Sequence, residues 1–136
     1  MKLSDYRGRI VVLYFYPRAF TSGCTREAER FNQLIDEFEK LGAVVIGVSP
    51  DSRERAARFA EKLGLRFRLI PDPELRIAKL YGVEKRTRSG RLSVERVTFV
   101  IGPDGVVKAV IRGVRPAEKH ADLALEEARR LAASPS

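Results

Sequence analysis

At 136 residues, 44% of them hydrophobic and only one of them cysteine, the chain has the size of one domain that buries its own core, and it cannot form an internal disulfide. A secreted disulfide scaffold is excluded, no apolar run reaches membrane-span length, and the N-terminus has no secretory apolar region, so a cytoplasmic protein without membrane association is expected. The net charge of +8 reads as solvated surface, because its densest knot, Arg86, Arg88 and Arg91, has no interleaved aromatics and no nucleic-acid motif. No nucleic-acid partner is therefore expected. Asn32 and Gln33 are the only amide side chains, a depletion that fits a heat-tolerant source or a genome bias.

The first element is Ile10 to Tyr16, a continuous apolar and aromatic run that suits a central strand buried on both faces and stopped by Pro17. An amphipathic helix opens at Cys24. Its apolar positions Ala28, Phe31, Leu34, Ile35, Phe38 and Leu41 keep helical spacing up to Gly42. Ala43 to Ser49 is a second buried strand. Ser49-Pro-Asp-Ser52 supplies cap chemistry for a helix with Ala56, Phe59, Ala60 and Leu63 on one face, ended by Gly64. A short strand over Phe67 to Ile70 follows. Asp72-Pro73 then reads as an N-cap with Pro in the first helical position, ahead of a short helix that ends at Gly82.

Val94 to Ile101 and Val106 to Ile111 read as two strands joined by the turn sequence Gly102-Pro-Asp-Gly105. The last helix runs from about Ala117 to Ala133, with Ala121, Ala124, Ala128 and Leu131 on one side. His120, the sole histidine, reads as a surface residue because nothing around it forms a Cys/His catalytic or metal pattern. The order β-α-β-α-β-α-β-β-α gives a three-layer α/β domain with a mixed central sheet. Residues 1–136 form one domain, with 134–136 as a frayed tail.

Cys24 stands where a strand hands over, through a proline-containing loop, to a helix. Backbone N–H groups and the helix dipole favour negative charge in a first helical turn, the condition for a reactive thiolate. Strand, proline, loop, cysteine and helix is the arrangement of thioredoxin-like proteins, here without a CxxC partner. The pattern Pro17-x-x-x-Thr21-x-x-Cys24 resembles the active-site motif of the peroxiredoxins, thiol peroxidases on the thioredoxin fold. The string FYPRAFTSGCT is most similar to the peroxiredoxin Q (bacterioferritin comigratory protein) subgroup. The likeness continues through LGAVVIGVSPDS, FAEKLGL, the DP and YGV segments and RVTFVIGPDG, nearly the whole chain.

The resemblance implies reduction of hydrogen peroxide and organic hydroperoxides, with Cys24 as the peroxidatic nucleophile and no cofactor or metal. Thr21 can place its hydroxyl beside the sulfur, donating to one partner while accepting from another, and it also sits where a helix cap belongs. Pro17 stiffens the loop and shields the thiolate, or simply stops the strand. The cation that the chemistry requires is, by resemblance, Arg96 in the strand Glu95-Arg-Val-Thr-Phe99, with Glu27 orienting it.

Many relatives carry a resolving cysteine five residues after the first; here that position is Glu29. The resemblance therefore implies a one-cysteine cycle. Cys24 becomes a sulfenic acid and is reduced by an external thiol: thioredoxin, glutaredoxin or a small thiol. The alternative on the same fold is a peroxide-sensing redox switch without sustained turnover. A basic nucleic-acid module with an idle cysteine is a third reading, and the Pro-Thr-Cys motif argues against it. Relatives also carry a further stretch before the LSDYRG segment; a missing hairpin there would open a sheet edge and favour self-association, so a monomer or homodimer is expected.

Overall fold

A computed structural model describes residues 3–133, so the expected tail at 134–136 lies outside the described residues. After a 3-10 turn at Leu3–Tyr6, the strands are β1 (Ile10–Phe15), β2 (Ala43–Ser49), β3 (Arg68–Pro71), β4 (Glu84–Arg86), β5 (Leu92–Val94), β6 (Val97–Ile101) and β7 (Val107–Arg112). The helices are α1 (Ser22–Gln33), α2 (Ile35–Lys40), α3 (Arg53–Leu63), α4 (Arg76–Tyr81) and α5 (Lys119–Ala133).

The main sheet has the order β3-β2-β1-β6-β7. β1, β2 and β3 run parallel, and β6 and β7 are antiparallel to their neighbours. This is the expected mixed α/β sheet. Strand alternation divides its contents between two layers. Val12, Tyr14 and Tyr16 face Phe31, Phe38, Phe59, Ala121 and Ala124 from the larger helical layer. Val11, Leu13 and Phe15 face Leu75, Ala78, Val83 and Val94 on the other side. β1 is buried at every position, as its unbroken apolar sequence requires. Gly47 makes room on β2: a Cβ there would lie 2.8 Å from Leu69 Cδ2 and 2.9 Å from Tyr14 Cζ.

Four local expectations need correction. The helix expected through Leu41 breaks at Leu34, whose ψ of 3° ends α1 and whose carbonyl accepts from Glu37 (2.9 Å) and Phe38 (3.1 Å) to start α2. Its buried positions Phe31, Ile35 and Phe38 still meet one core. Pro73 is not in the first turn of α4, which starts at Arg76. Asp72 nevertheless caps it from a distance, accepting from the N–H groups of Ile77 (3.2 Å) and Ala78 (3.0 Å), while Leu75 turns the chain with φ +59°.

The third and fourth corrections concern residues 84–97. Val94 belongs not to the main sheet but to a separate hairpin of β4 with β5. This hairpin carries Arg86, Arg88 and Arg91, all exposed, and its turn closes through Gly90 at φ +86°. Its strands are short and largely exposed, so no apolar alternation announces them. The expected strand over Val94–Ile101 is thus interrupted. Glu95 and Arg96 form a link, with Glu95 N–H donating to Val83 O at 2.8 Å and its carboxylate paired to Arg112 at 2.9 Å.

Candidate active site

The site forms where β1 ends. Tyr16 still donates to Val48 O at 3.0 Å, and the loop from Pro17 to Thr21 then leads into α1. A clamp from the β2–α3 turn fixes the middle of that loop. Ala19 N–H donates to Asp51 Oδ2 at 2.8 Å, and the Ser49 hydroxyl donates to the same oxygen at 2.7 Å. Arg55 pairs with Asp51 Oδ1 at 3.2 Å and donates to Ala19 O at 2.8 Å. Its guanidinium also lies 5.1 Å from the centre of the Phe20 ring, which packs edge-on against Phe59. Phe20 has φ +69°, a conformation that a residue with a large side chain adopts only at a cost.

Thr21 is the N-cap residue of α1, and its carbonyl accepts the first helical bond, from Thr25 N–H at 2.9 Å. Its hydroxyl donates to Arg18 O at 2.8 Å, which leaves its lone pairs as acceptors. Cys24 is the third residue of the helix and is 1% exposed. Arg96 reaches it from the link before β6. Nη2 donates to Cys24 Sγ at 3.4 Å, and Nη1 donates to Glu27 Oε1 at 2.5 Å. The break in the expected strand places Arg96 outside the sheet ladder, so its side chain can cross to α1.

Gly23 permits the crossing, because a Cβ there would meet Arg96 Nη2 at 3.2 Å and Ala117 Cβ at 3.7 Å. Cys24, Glu27 and Arg96 are thus brought together. Pro17 and Thr21 sit on the loop that leads into α1, with the Thr21 hydroxyl turned to Arg18 O rather than to the sulfur. Pro17, Arg18, Arg55 and Arg91 also line an adjacent cleft of about 330 Å³.

His120 is not the surface residue expected from sequence. It is 1% exposed and sits on the buried face of α5 with Ala124 and Ala128, at four-residue spacing. Its Nδ1 lies 2.9 Å from Thr98 Oγ1 and 3.9 Å from Glu27 Oε2. Burial pushes the Glu27 carboxyl up to about 8, against the pull of Arg96. Burial, with Arg96 adding to it, pushes the His120 imidazole down to about 4, so the ring is neutral at neutral pH. Among the described residues, no group of three or more His, Cys, Asp or Glu side chains comes together to hold a metal, and no helix is long and apolar enough to cross a membrane.

Sequence reasoning missed Gly23, Asp51, Arg55, Thr98 and His120. Only the 120/124/128 spacing offered a signal for any of them.

Known proteins carry the same architecture. The family model described as AhpC/TSA family matches residues 1–110. Peroxiredoxin Bcp of Bacillus subtilis is 45% identical over 108 residues, covering 77% of this chain and 69% of that protein. The structure of the bacterioferritin comigratory protein of Xanthomonas campestris superposes with a TM-score of 0.89 at 36% identity, over 97% of this chain and 85% of that one. Peroxidoxin BcpB of Mycobacterium tuberculosis superposes with a TM-score of 0.87 at 38% identity, over 95% and 84% of the two chains. The chain belongs to the AhpC/TSA family, among its Bcp, or peroxiredoxin Q, members.

Proposed function

We propose that this thiol peroxidase works by a one-cysteine cycle in which Cys24 attacks the peroxide and Arg96 serves both reactants. The observation that carries the reading is the Arg96 fork, one arm on Cys24 Sγ and the other on Glu27. The thiolate forms an S–O bond as the O–O bond breaks. Sulfur gives up two electrons, and the leaving oxygen departs as water or an alcohol once it takes a proton. Negative charge moves from sulfur to that oxygen during the step. A fixed guanidinium that already touches the sulfur is placed to follow it.

Alkyl peroxide reduction is a stated activity of the Xanthomonas relative, and we assign the same substrate class here together with hydrogen peroxide. Thr21 has free lone pairs to accept from the hydroperoxide O–H, and Pro17 shields the loop. No second cysteine lies within these 136 residues. Recovery then takes two external thiols. The first displaces water from the sulfenic sulfur to give a mixed disulfide, and the second releases the Cys24 thiol with formation of the donor's disulfide.

The test mixes reduced protein with one equivalent of hydrogen peroxide, follows the mass of Cys24 in quenched samples, and then supplies thioredoxin, glutaredoxin or glutathione. Oxidation faster than that of a free thiol, followed by repeated turnover and abolished in Cys24→Ser, is expected. Oxidation at the free-thiol rate would overturn the reading. Fast oxidation without turnover for any donor would favour the redox switch.

A further inference from the structure

Arg96 supplies one positive charge to two acidic groups, the Cys24 thiol on one arm and the Glu27 carboxyl on the other. A buried site holding two anions against one cation carries an uncompensated charge, which is costly in a low-dielectric interior. The second Glu27 oxygen, Oε2, is fully buried and has no hydrogen-bond partner. It faces His120 Nδ1 at 3.9 Å, and that nitrogen is held in turn by Thr98 Oγ1. The titratable and charged groups around the carboxyl are therefore Cys24 on its own helix, Arg96 from the link, His120 from α5, Tyr14 from β1 and Tyr16 just past its end, whose phenol burial also pushes up. Burial holds the Tyr14 phenol far above its ordinary range, so it stays protonated.

We propose that Glu27 and His120 form a buried proton-holding pair: when Cys24 is a thiolate, Glu27 carries a proton on Oε2, beside His120, and the charge of Arg96 is left to the sulfur. The balance is simple. The thiol gives up one proton, the carboxylate holds one, and Arg96, Cys24 and Glu27 together are neutral. The upward push on Glu27 and the downward push on His120 agree with this, since they leave a neutral acid beside a neutral imidazole near pH 7. Above about pH 8 the carboxyl loses its proton and becomes a second anion competing for the same fork. A simple thiolate grows more reactive with rising pH until it is fully ionised. This site instead loses transition-state stabilisation on the alkaline side. Glu27 and His120 are positioning residues, acting on the reaction through Arg96.

This inference rests on the peroxidase reading, and two measurements keep the two apart. The first is the pH profile of single-turnover Cys24 oxidation by hydrogen peroxide at constant ionic strength. In the parent the rate should fall by about fivefold or more between about pH 7 and pH 9.5. In Glu27→Gln that descending limb should vanish. The second is infrared spectroscopy of the reduced protein in the carboxylic-acid C=O region. A protonated-carboxyl C=O band should be present at pH 7 in the parent and absent in Glu27→Gln. It should shift in frequency in His120→Leu, and His120→Asn, which keeps a polar group against Oε2, should restore its position.

No carboxyl band at pH 7, a descending limb that survives Glu27→Gln, or a band unmoved in both His120 variants would each overturn the pair. If the parent oxidises no faster than a free thiol at any pH, the peroxidase reading fails, and the infrared bands still decide the proton's location.

Discussion

Removing the Arg96 guanidinium tests the core of the site. Its Nη2 lies 3.4 Å from Cys24 Sγ. At an effective dielectric of about 20, a unit charge pair at that distance is worth about 5 kcal/mol, an upper limit because water replaces part of the lost guanidinium. Loss of one well-aimed donor to a developing oxyanion costs about 3–4 kcal/mol, or roughly 10²–10³ in rate. Arg96→Ala should therefore slow Cys24 oxidation by about 10²–10³-fold. Arg96→Lys keeps a charge but cannot bridge the sulfur and Glu27 with one planar fork, so a loss of about tenfold is expected.

Rapid mixing with hydrogen peroxide, a quench that alkylates unreacted thiol, and intact mass measurement give the rate directly. Arg96→Ala also leaves the buried Glu27 Oε1 without its hydrogen-bond donor, so some loss of stability accompanies the loss of rate. Circular dichroism must show both variants folded before rates are compared. An Arg96→Ala protein that is folded and oxidises within about threefold of the parent would refute the assignment of Arg96 as the working cation.

Stability against pH gives a second check with a definite sign. Folded Glu27 titrates at about 8, above its ordinary 4.5, so its contribution is full below about pH 4.5 and is lost as pH rises to about 8. Folded His120 titrates at about 4, below its ordinary 6.5, so its contribution is full above about pH 6.5 and is lost as pH falls to about 4. The two oppose each other between pH 4.5 and 6.5. Urea midpoints of Glu27→Gln should therefore fall more steeply on acidification than those of the parent, and should lack its decline between pH 6.5 and 8; parallel curves would contradict the Glu27 shift. Gly47→Ala should cost about 1–3 kcal/mol by urea denaturation, because its Cβ would sit 2.8 Å from Leu69 Cδ2 and 2.9 Å from Tyr14 Cζ; a neutral change would mean that both side chains move aside freely. Asp72→Ala should cost about 1–2 kcal/mol through the lost caps on Ile77 and Ala78, read as a lower melting temperature, and Asp72→Asn should recover part of it.

Legibility in the sequence followed the range of the interactions. β1 and β2 were readable because burial on both faces demands unbroken apolar runs such as Ile10 to Tyr16. Helix ends were readable where a glycine takes positive φ, as at Gly42, Gly64 and Gly82. The β4–β5 hairpin was not, because it is charged and exposed and is ordered by turn geometry rather than by a buried face. The strand break at Glu95 and Arg96 was hidden for the related reason that Val94 and Val97 are both buried, in different sheets. Cys24, Thr21 and Pro17 could be picked out because they lie close together in sequence, on one loop and the helical turn that follows it. Arg96 and Glu27 came from family likeness, since no spacing rule connects positions 69 residues apart. His120 was misjudged because isolated chemistry is a poor guide to burial. The small-residue face of α5, which starts beside it, was the better one.

The positive φ at Phe20 bears on a problem of access. Cys24 is 1% exposed, which suits a hydroperoxide only a few atoms across but not a sulfur carried on another protein. Holding Phe20 in the left-handed region costs about 1–2 kcal/mol, while Asp51 accepts from the N–H of the neighbouring Ala19 and Arg55 donates to its carbonyl. A loop closed under that load has a larger open fraction than an unstrained one, by a factor of roughly 5–30 for the same grip. The structure thus resembles a latch with a weak spring behind it. The strain at Phe20 thus lowers the cost of opening the loop that precedes Cys24.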